Sequence, residues 1–273
     1  MRKAKVLFIS QEIYPYLPET HMSKICRHLP QGTQERGREI RTFMPRFGVI
    51  NERRNQLHEV IRLSGMNLII DDNDHPLIIK VASIQQARMQ IYFIDNEDYF
   101  QRKAILYDKN GQFYGDNDER AIFFSRGVIE TVKKLGWPPD IIHCHGWMSS
   151  IVPIYIKRAY KDNPLFSNTK VITSIYDDKF DETLSADFPK KIKMEGITNK
   201  DLAVYKDTSY KNIMKAAIDN SDAAIQGSEE PDPEIIRYVR DKKIPFLEYQ
   251  SMETYIEAYN EFYNGMLGNL EED

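Results

Sequence analysis

The stretch Pro139-Asp140-Ile141-Ile142-His143-Cys144-His145-Gly146-Trp147 decides the fold of this chain. Its apolar run is typical of a short strand buried in a parallel sheet, and the run ends in titratable side chains. The glycine and the tryptophan then open a helical segment. A histidine that ends a strand directly before a helix lies at the carboxyl edge of the sheet, where ligands bind in open α/β folds.

The side chain of His145 has three possible roles. It closes a loop without touching a ligand, contacts a ligand, or binds a metal ion. The His-x-His spacing of His143 and His145 suits zinc, but no Cys/His cluster lies near this stretch of the sequence. We therefore expect no metal site, and the first two roles stay open.

The composition is that of an ordinary globular protein. The chain has 273 residues, of which 41% are hydrophobic and 29% charged, enough for one large α/β domain or two small ones. A net charge of −4 gives no general attraction to nucleic acid or to membranes, so we expect neither as a partner. Both cysteines, Cys26 and Cys144, lie in apolar or helical surroundings, which favours buried thiols over a disulfide and predicts a cytoplasmic protein.

The apolar runs predict a chain that starts with a strand, a loop, a helix and a second strand, which is the unit of a parallel sheet. The helix covers about residues 22–34, and Pro30 should kink or shorten it. Apolar and polar side chains alternate in several runs of residues 51–100, and this predicts an antiparallel hairpin insert within residues 57–95. The parallel strands are predicted near residues 5–10, 39–44, 140–144, 169–175 and 222–226.

Several further stretches form a set of motifs together with residues 139–147. They are Lys5-Val6-Leu7-Phe8-Ile9-Ser10, Glu12-Ile13-Tyr14-Pro15, Met44-Pro45-Arg46-Phe47-Gly48, Tyr92-Phe93-Ile94-Asp95-Asn96 and Asp116-Asn117-Asp118-Glu119-Arg120. With these motifs the chain resembles the N-terminal half of bacterial glycogen synthases and plant starch synthases. The similarity runs, with gaps, from residue 4 to about residue 175.

The resemblance implies a fold class and an activity. Members of this family transfer glucose from a nucleotide sugar, ADP-glucose or UDP-glucose, to an α-1,4-glucan, and no further cofactor is implied. Their two Rossmann-like domains, an arrangement called GT-B, face each other across a cleft. The N-terminal domain holds the glucan, and the C-terminal domain grips the donor with an arginine and a lysine. We therefore expect an α/β fold with a Rossmann-like parallel sheet, one half of a GT-B glycosyltransferase, plus the antiparallel hairpin insert.

The length of the chain indicates which partners to expect. The chain is about half as long as the family's members and ends at Asp273, so we expect a single domain over residues 1–273 without the donor-binding domain. The expected ligand is an α-1,4-glucan. A separate nucleotide-sugar-binding chain, or self-association through the cleft face, would cover the aromatic side chains expected there, which are Tyr14, Tyr16, Trp147 and Tyr176.

The resemblance also implies roles for individual residues. His145 matches the family histidine that reaches the sugar and is the expected catalytic residue, and Trp147 would position its loop. The other expected substrate-binding residues are Glu12, Tyr14, Tyr176 and Asp177. The plain structural alternative is that His145, Tyr176 and Asp177 only close loops.

The chain departs from the family's pattern at three places. The loop Lys-Thr-Gly-Gly-Leu-Ala-Asp, whose glycines and lysine approach a diphosphate, is Pro18-Glu19-Thr20-His21-Met22-Ser23-Lys24 here. The family's His-Asp-Trp is His145-Gly146-Trp147, and its Ile-His-Asn is Ile175-Tyr176-Asp177. Two hypotheses follow. The chain is a glucosyltransferase domain that acts with a second chain, or it is a catalytically inactive glucan-binding or regulatory protein.

Overall fold

The computed structural model describes residues 2–268 and contains a mostly parallel sheet, so the predicted Rossmann-like α/β fold is confirmed. Each predicted parallel strand is present, with bounds that differ by about one residue, and apolar runs form these strands because both faces of such a sheet are covered. The strands are β1 (Lys5–Ser10), β2 (Glu39–Pro45), β3 (His58–Glu59), β4 (Met66–Ile70), β5 (Asn73–Ile84), β6 (Met89–Asp95), β7 (Ile141–His145), β8 (Lys170–Ile175), β9 (Ala223–Gln226) and β10 (Phe246–Leu247). Their order is β10-β9-β8-β7-β1-β2-β6-β5-β3, and β4 pairs with β5.

Helices connect the parallel strands. The first helix runs without interruption through Pro30, so the expected shortening does not occur. The segment after β7 is irregular, with a 3-10 turn at Trp147–Ser149 and a π-helical turn at Tyr155–Ala159 on either side of a short α-helix. The helices are α1 (His21–Glu35), α2 (Glu97–Phe100), α3 (Asn117–Leu135), α4 (Val152–Ile154), α5 (Phe188–Ile192), α6 (Asn199–Leu202), α7 (Tyr210–Asp219), α8 (Pro233–Lys242) and α9 (Tyr255–Leu267).

A reversal in the strand order fixes where a ligand can bind. From β1 the chain crosses through α1 to β2, whereas from β7 it crosses through α4 to β8 in the opposite direction. Both crossovers join parallel strands, and right-handed crossovers in opposite directions place their helices on opposite faces of the sheet. The crevice outside the carboxyl ends of β1 and β7 is therefore the switch point, at which such sheets bind ligands.

The predicted insert is present beside the parallel sheet, but its last strand belongs to the sheet itself. Strand β5 is antiparallel to β6, and both β3 and β4 are antiparallel to β5. Strand β6 runs parallel to β2, with Thr42 opposite Ile91 and Pro45 opposite Ile94. Strand β6 thus forms the predicted antiparallel hairpin with β5 and, in addition, joins the insert to the parallel sheet, which agrees with its burial along almost its whole length.

Both cysteines lie in the core. Both Cys26 in α1 and Cys144 in β7 are free, buried thiols, as predicted, and burial raises the pKa of each. Within residues 2–268, no helix is both long enough and apolar enough to span a bilayer.

Candidate functional site

An open cavity lies at the carboxyl edge of the sheet, beside the switch point. Its volume is about 690 Å³, within the range of small-molecule sites. The loops after β1, β8 and β9 and the start of α1 form its walls, and the segment after α2 closes one side. We call it the acidic cavity because of the carboxylates that line it, which are Glu12, Asp177, Asp178, Glu229 and Glu230.

The lining of the acidic cavity carries more negative than positive side chains. Among the described residues that line it, the cationic side chain is Lys179, while His21 uses its Nε2 for a 2.9 Å hydrogen bond with the Gly227 carbonyl. A diphosphate would meet repulsion from several carboxylates at short range. A neutral sugar would instead donate its hydroxyl hydrogens to the same carboxylates and lay its C–H faces on the lining tyrosines, Tyr107 and Tyr249.

The carboxylate of Glu12 lies at the amino-terminal end of α1. Thr20 caps this helix, since its hydroxyl accepts a 2.9 Å hydrogen bond from the Ser23 N–H, and it also donates a hydrogen bond to Glu12. Burial raises the pKa of Glu12, a hydrogen bond from Thr20 opposes that rise, and the nearby charge of Asp178 adds to it. A helix amino terminus attracts anions, and here the chain's own carboxylate takes that position.

Asp178 is the second carboxylate in the floor of the acidic cavity, and the sequence reasoning did not single it out. Its two oxygens accept hydrogen bonds from the Trp147 N–H at 2.8 Å and from the Tyr210 hydroxyl at 2.7 Å. Burial raises its pKa, and these two hydrogen bonds oppose the rise. The pair Asp177-Asp178 directly after β8 was the available signal, because adjacent residues at a strand end both reach the same edge.

His145 does not reach the acidic cavity. Its side chain is 0% exposed, and its Nδ1 lies 2.7 Å from the Tyr176 hydroxyl, to which it is hydrogen-bonded. Its ring lies 3.8 Å from the ring of His143, because residues two apart on a strand share a face. Burial lowers the pKa of His145 to about 3, so the ring is neutral at pH 7. The predicted direct contact of His145 with a sugar has no support in this geometry.

The buried groups around His145 form a connected set that we call the histidine cluster: His143, His145, Tyr176 and Tyr263. His143 is hydrogen-bonded to the Tyr263 hydroxyl of α9 at 2.6 Å and to the Ser174 hydroxyl at 2.7 Å. Burial lowers its pKa well below the ordinary range, with the neighbouring His145 as a second cause. Two neutral histidines are thus held beneath the candidate site by α9.

Two glycines let the backbone close over this region. Gly146 has φ +85°, which favours glycine, and a Cβ there would lie 2.6 Å from the Cβ of Gln11. The family's aspartate could not be accommodated at this position without a change of backbone. A Cβ on Gly227 would lie 2.7 Å from the ring of Tyr176, so Gly227 covers that ring closely.

The remaining predicted site residues are divided between the cavity and the core. Glu12, Tyr176 and Asp177 line the acidic cavity, although Tyr176 is only 2% exposed. Trp147 is 0% exposed and packs on Phe180, with ring centroids 4.9 Å apart, so it belongs to the core. Tyr14 is 41% exposed but does not line the cavity.

The expected exposed aromatic face was wrong. Of its four members, Tyr16, Trp147 and Tyr176 are buried, because Tyr16 packs on Phe93, Trp147 packs on Phe180 and Gly227 covers the ring of Tyr176. Only Tyr14 among those four is exposed. Within residues 2–268, no group of three or more His, Cys, Asp or Glu side chains is placed to hold a metal ion.

A solved structure identifies the class of this fold. The catalytic domain of starch synthase IV from Arabidopsis thaliana, bound to ADP and acarbose, matches with a TM-score of 0.68 at 19% identity. The match covers 90% of this chain and 52% of that chain. This structural match, together with the mostly parallel sheet and its switch point, shows that the chain has the fold of one Rossmann-like half of a GT-B glycosyltransferase.

The sequence comparisons give the family. The family model described as the starch synthase catalytic domain matches residues 5–243, and the chain belongs to this family. The glycogen synthase of Chlorobium luteolum is 33% identical over 222 residues, 81% of this chain and 45% of its own length. That of Chlorobium limicola is 38% identical over 176 residues, 64% of this chain and 36% of its own length. The chain thus spans less than half the length of these relatives.

Proposed function

We propose that this chain binds an α-1,4-glucan in the acidic cavity and serves as the glucan-binding half of a glycogen or starch synthase-type glycosyltransferase. The observation that carries the proposal is the position of Glu12. Its carboxylate accepts a hydrogen bond from Thr20 at the amino terminus of α1, where the family's loop would approach a diphosphate. An anionic ligand is thereby disfavoured and a neutral one is not.

The lining of the acidic cavity supports a sugar ligand. Asp177 is exposed, and among the described residues its carboxylate has no hydrogen-bond partner that would compete with a sugar hydroxyl, whereas both oxygens of Asp178 are already engaged, by the Trp147 N–H and the Tyr210 hydroxyl. Tyr249 and Tyr107 add partly exposed aromatic surface to the lining. Carboxylates that flank aromatic rings suit a pyranose, which has both C–H faces and a rim of hydroxyls.

Glucose transfer to that glucan requires a nucleotide sugar held by other residues. We propose ADP-glucose as the donor, because the similar starch synthase IV domain was solved with ADP bound. The arginine and lysine that stabilise a leaving diphosphate would come from a further domain, a separate nucleotide-sugar-binding chain or a second copy. The two buried free thiols agree with a cytoplasmic setting for this reaction.

A second candidate is a catalytically inactive glucan-binding or regulatory protein. The specific observation in its favour is the burial of His145, whose Nδ1 is engaged by Tyr176 and whose ring is 0% exposed. Under this alternative the glucan still binds in the acidic cavity, but no added protein restores glucose transfer.

The experiment that tests glucan binding is NMR mapping with maltoheptaose. We expect saturable shifts of the backbone amides of Tyr176, Asp177 and Glu229, which belong to the acidic cavity, at millimolar to high micromolar sugar, about 4–6 kcal/mol. Cellopentaose, with β-1,4 links, is the matched control and should cause smaller shifts. Shifts spread evenly over the surface, or none at all, would contradict the proposal.

A transfer assay separates the two candidates. With glycogen and ADP-glucose, the chain alone should show no more than trace transfer, because losing one electrostatic contact to the transition state costs about 10²–10³ in rate. Robust turnover by the chain alone would contradict the assignment of donor binding to other residues. Turnover that appears only on addition of a nucleotide-sugar-binding protein would favour the first candidate.

A further inference from the structure

A second cavity lies at the opposite edge of the sheet, at the amino-terminal ends of β2 and β6. Its volume is about 410 Å³, and the end of α1 and the end of β5 complete its walls. Arg41 of β2 and Arg88, which directly precedes β6, line it together with Gln90. We call it the arginine cavity; its other lining residues are Gln34, Ile40, Ser83 and Met89.

Among the described residues, the two arginines of the arginine cavity have no carboxylate partner. Two lining residues are arginines, and no lining residue is an aspartate or a glutamate. Within residues 2–268, neither Arg41 nor Arg88 forms an ion pair with a carboxylate. Glu39, which shares a strand face with Arg41, instead accepts a 3.3 Å hydrogen bond from the Trp137 indole.

Aromatic rings fix the guanidinium of Arg41. Its central carbon lies 5.5 Å from the ring centroid of Trp137 and 6.0 Å from that of Tyr92. Among the residues that the structure describes, the enclosed Nε atom has no hydrogen-bond partner, and Nη1 makes a long contact of 3.5 Å with the Ile40 carbonyl. These two cation–π contacts hold the guanidinium near the rings, so its N–H groups need less further ordering to meet an anion.

Neutral donors surround the two arginines. The Oε1 atom of Gln90 accepts a 3.3 Å hydrogen bond from the Tyr92 hydroxyl, which leaves the amide N–H₂ group as the free end of that side chain. Ser83 lies directly opposite Gln90 across the β5–β6 pair, and its hydroxyl can donate to the same ligand. Gln34 adds a third neutral side chain at the end of α1.

We propose that the arginine cavity binds the phosphate group of a small phosphorylated molecule. A guanidinium presents two parallel N–H groups that match two phosphate oxygens, and two guanidiniums balance the charge of a phosphate monoester. The cavity volume exceeds what a bare phosphate fills, so the organic part of an ester has room beside Ile40 and Met89. The acidic cavity repels the same group, so anionic and neutral ligands are sorted to opposite edges of the sheet.

The test is an NMR titration of the full chain with inorganic phosphate and, separately, with glycerol phosphate, using glycerol as the uncharged control. The amides of Ser83, Arg88 and Gln90 should shift and saturate in the millimolar range, whereas amides of the acidic cavity should not move. The replacement Arg88→Asn keeps the fold, because Arg88 has φ +49° and asparagine tolerates this left-handed conformation. It should weaken phosphate binding by about tenfold or more, the loss expected for a charge-assisted contact.

Two further variants keep the outcome unambiguous. Gln90→Glu places a carboxylate in the arginine cavity and should weaken phosphate binding at least as much as Arg88→Asn does. Arg240→Asn is the matched control, since Arg240 pairs with Glu248 at 2.9 Å on another surface, and it should bind phosphate like the wild type.

The two ligands separate the two sources of the phosphate group. Tighter binding of glycerol phosphate than of inorganic phosphate supports an ester as the ligand, and equal binding supports free phosphate. The proposal is overturned if no saturable shift occurs up to about 10 mM of either ligand. It is also overturned if Arg88→Asn and Arg240→Asn bind phosphate equally well.

Discussion

The histidine cluster and the acidic cavity lie side by side at the carboxyl edge of the sheet, yet the first is closed and the second is open. The cluster contains His145, which is hydrogen-bonded to Tyr176 and packed on His143, and His143 is in turn hydrogen-bonded to Tyr263 of α9, so the ring of His145 is closed off from solvent. The acidic cavity is lined by the loop after β1, in which the Thr20 hydroxyl donates a hydrogen bond to Glu12. The comparison teaches that a residue can keep its place in the sequence of a motif while its side chain is closed off from solvent, and that a neighbouring loop can form an open, acidic cavity.

The largest expected effect is on stability, through the histidine cluster. His145→Ala removes a fully buried ring and should lower the free energy of unfolding by about 3 kcal/mol, the cost of a cavity in a packed core. Urea denaturation measures this change, and Tyr176→Phe, which removes only the hydroxyl partner, should cost about 1 kcal/mol.

The variant His145→Ala also tests whether the histidine cluster contributes to glucan binding in the acidic cavity. At temperatures where His145→Ala remains folded, its affinity for maltoheptaose should stay within about twofold of the wild type, because the ring does not line the cavity. A marked loss of glucan affinity without a loss of stability would return His145 to the role of a ligand contact.

The second effect is acid sensitivity. Burial lowers the pKa of His145 to about 3 and that of His143 well below its ordinary range, so the folded state favours the neutral rings. The resulting stability is fully present above the unfolded-state pKa, about 6.5, and is lost as the pH falls below it, by about 1.4 kcal/mol per pH unit for each group. The advantage of the wild type over His145→Gln should therefore shrink by about 2 kcal/mol between pH 7.5 and about pH 5. A constant difference would contradict the burial of a neutral ring.

The third effect is confined to the acidic cavity. Asp177→Ala should weaken maltoheptaose binding by about fivefold, or about 1 kcal/mol, the scale of one lost hydrogen bond. Asp181→Ala is the matched control, because Asp181 lies a few residues further along the chain and does not line the cavity. Calorimetric titration of both variants with maltoheptaose measures this loss. Equal affinities of the two variants would mean that the glucan binds outside the acidic cavity.

The smallest effect concerns Glu12. Because its folded-state pKa is raised, chiefly by burial, its stabilising contribution is present below the unfolded-state pKa of about 4.3 and is lost as the pH rises through the folded value. Glu12→Gln should therefore gain stability relative to the wild type between about pH 4 and about pH 7, by less than about 1 kcal/mol. Thermal melts at both pH values measure the difference; no change would mean that Glu12 is well solvated, and a change of the opposite sign would mean that the Thr20 hydrogen bond and the helix amino terminus outweigh its burial.

The central strands could be predicted from the sequence, because runs such as Val6–Ile9 and Ile141–Ile142 carry a local apolar signal. The parallel pairing of β6 with β2 could not be predicted, because the sequence of β6 fits a parallel as well as an antiparallel neighbour. Only the position of β2 in the folded chain shows that β6 has both kinds of neighbour. The edge of the sheet where the cavity lies was also predictable, because it follows from strand polarity alone.

The closure of the histidine cluster could not be predicted. Period-two alternation places His143 and His145 on one face, but the residue that covers them, Tyr263, comes from the last helix, far along the chain. The hydrogen bond between Thr20 and Glu12 could not be predicted either. It depends on the conformation of the loop between these residues, for which the sequence contains no local signal.

The most direct measurement is a pair of calorimetric titrations of the same wild-type chain, one with maltoheptaose and one with ADP. If the acidic cavity is a site for a neutral glucan, maltoheptaose binds with a dissociation constant in the millimolar to high micromolar range, and Asp177→Ala weakens that binding by about fivefold. ADP at the same concentrations gives no heat that depends on Asp177 or Glu12. Tight binding of ADP that depends on Glu12 or Asp177, with no binding of maltoheptaose, would contradict the assignment.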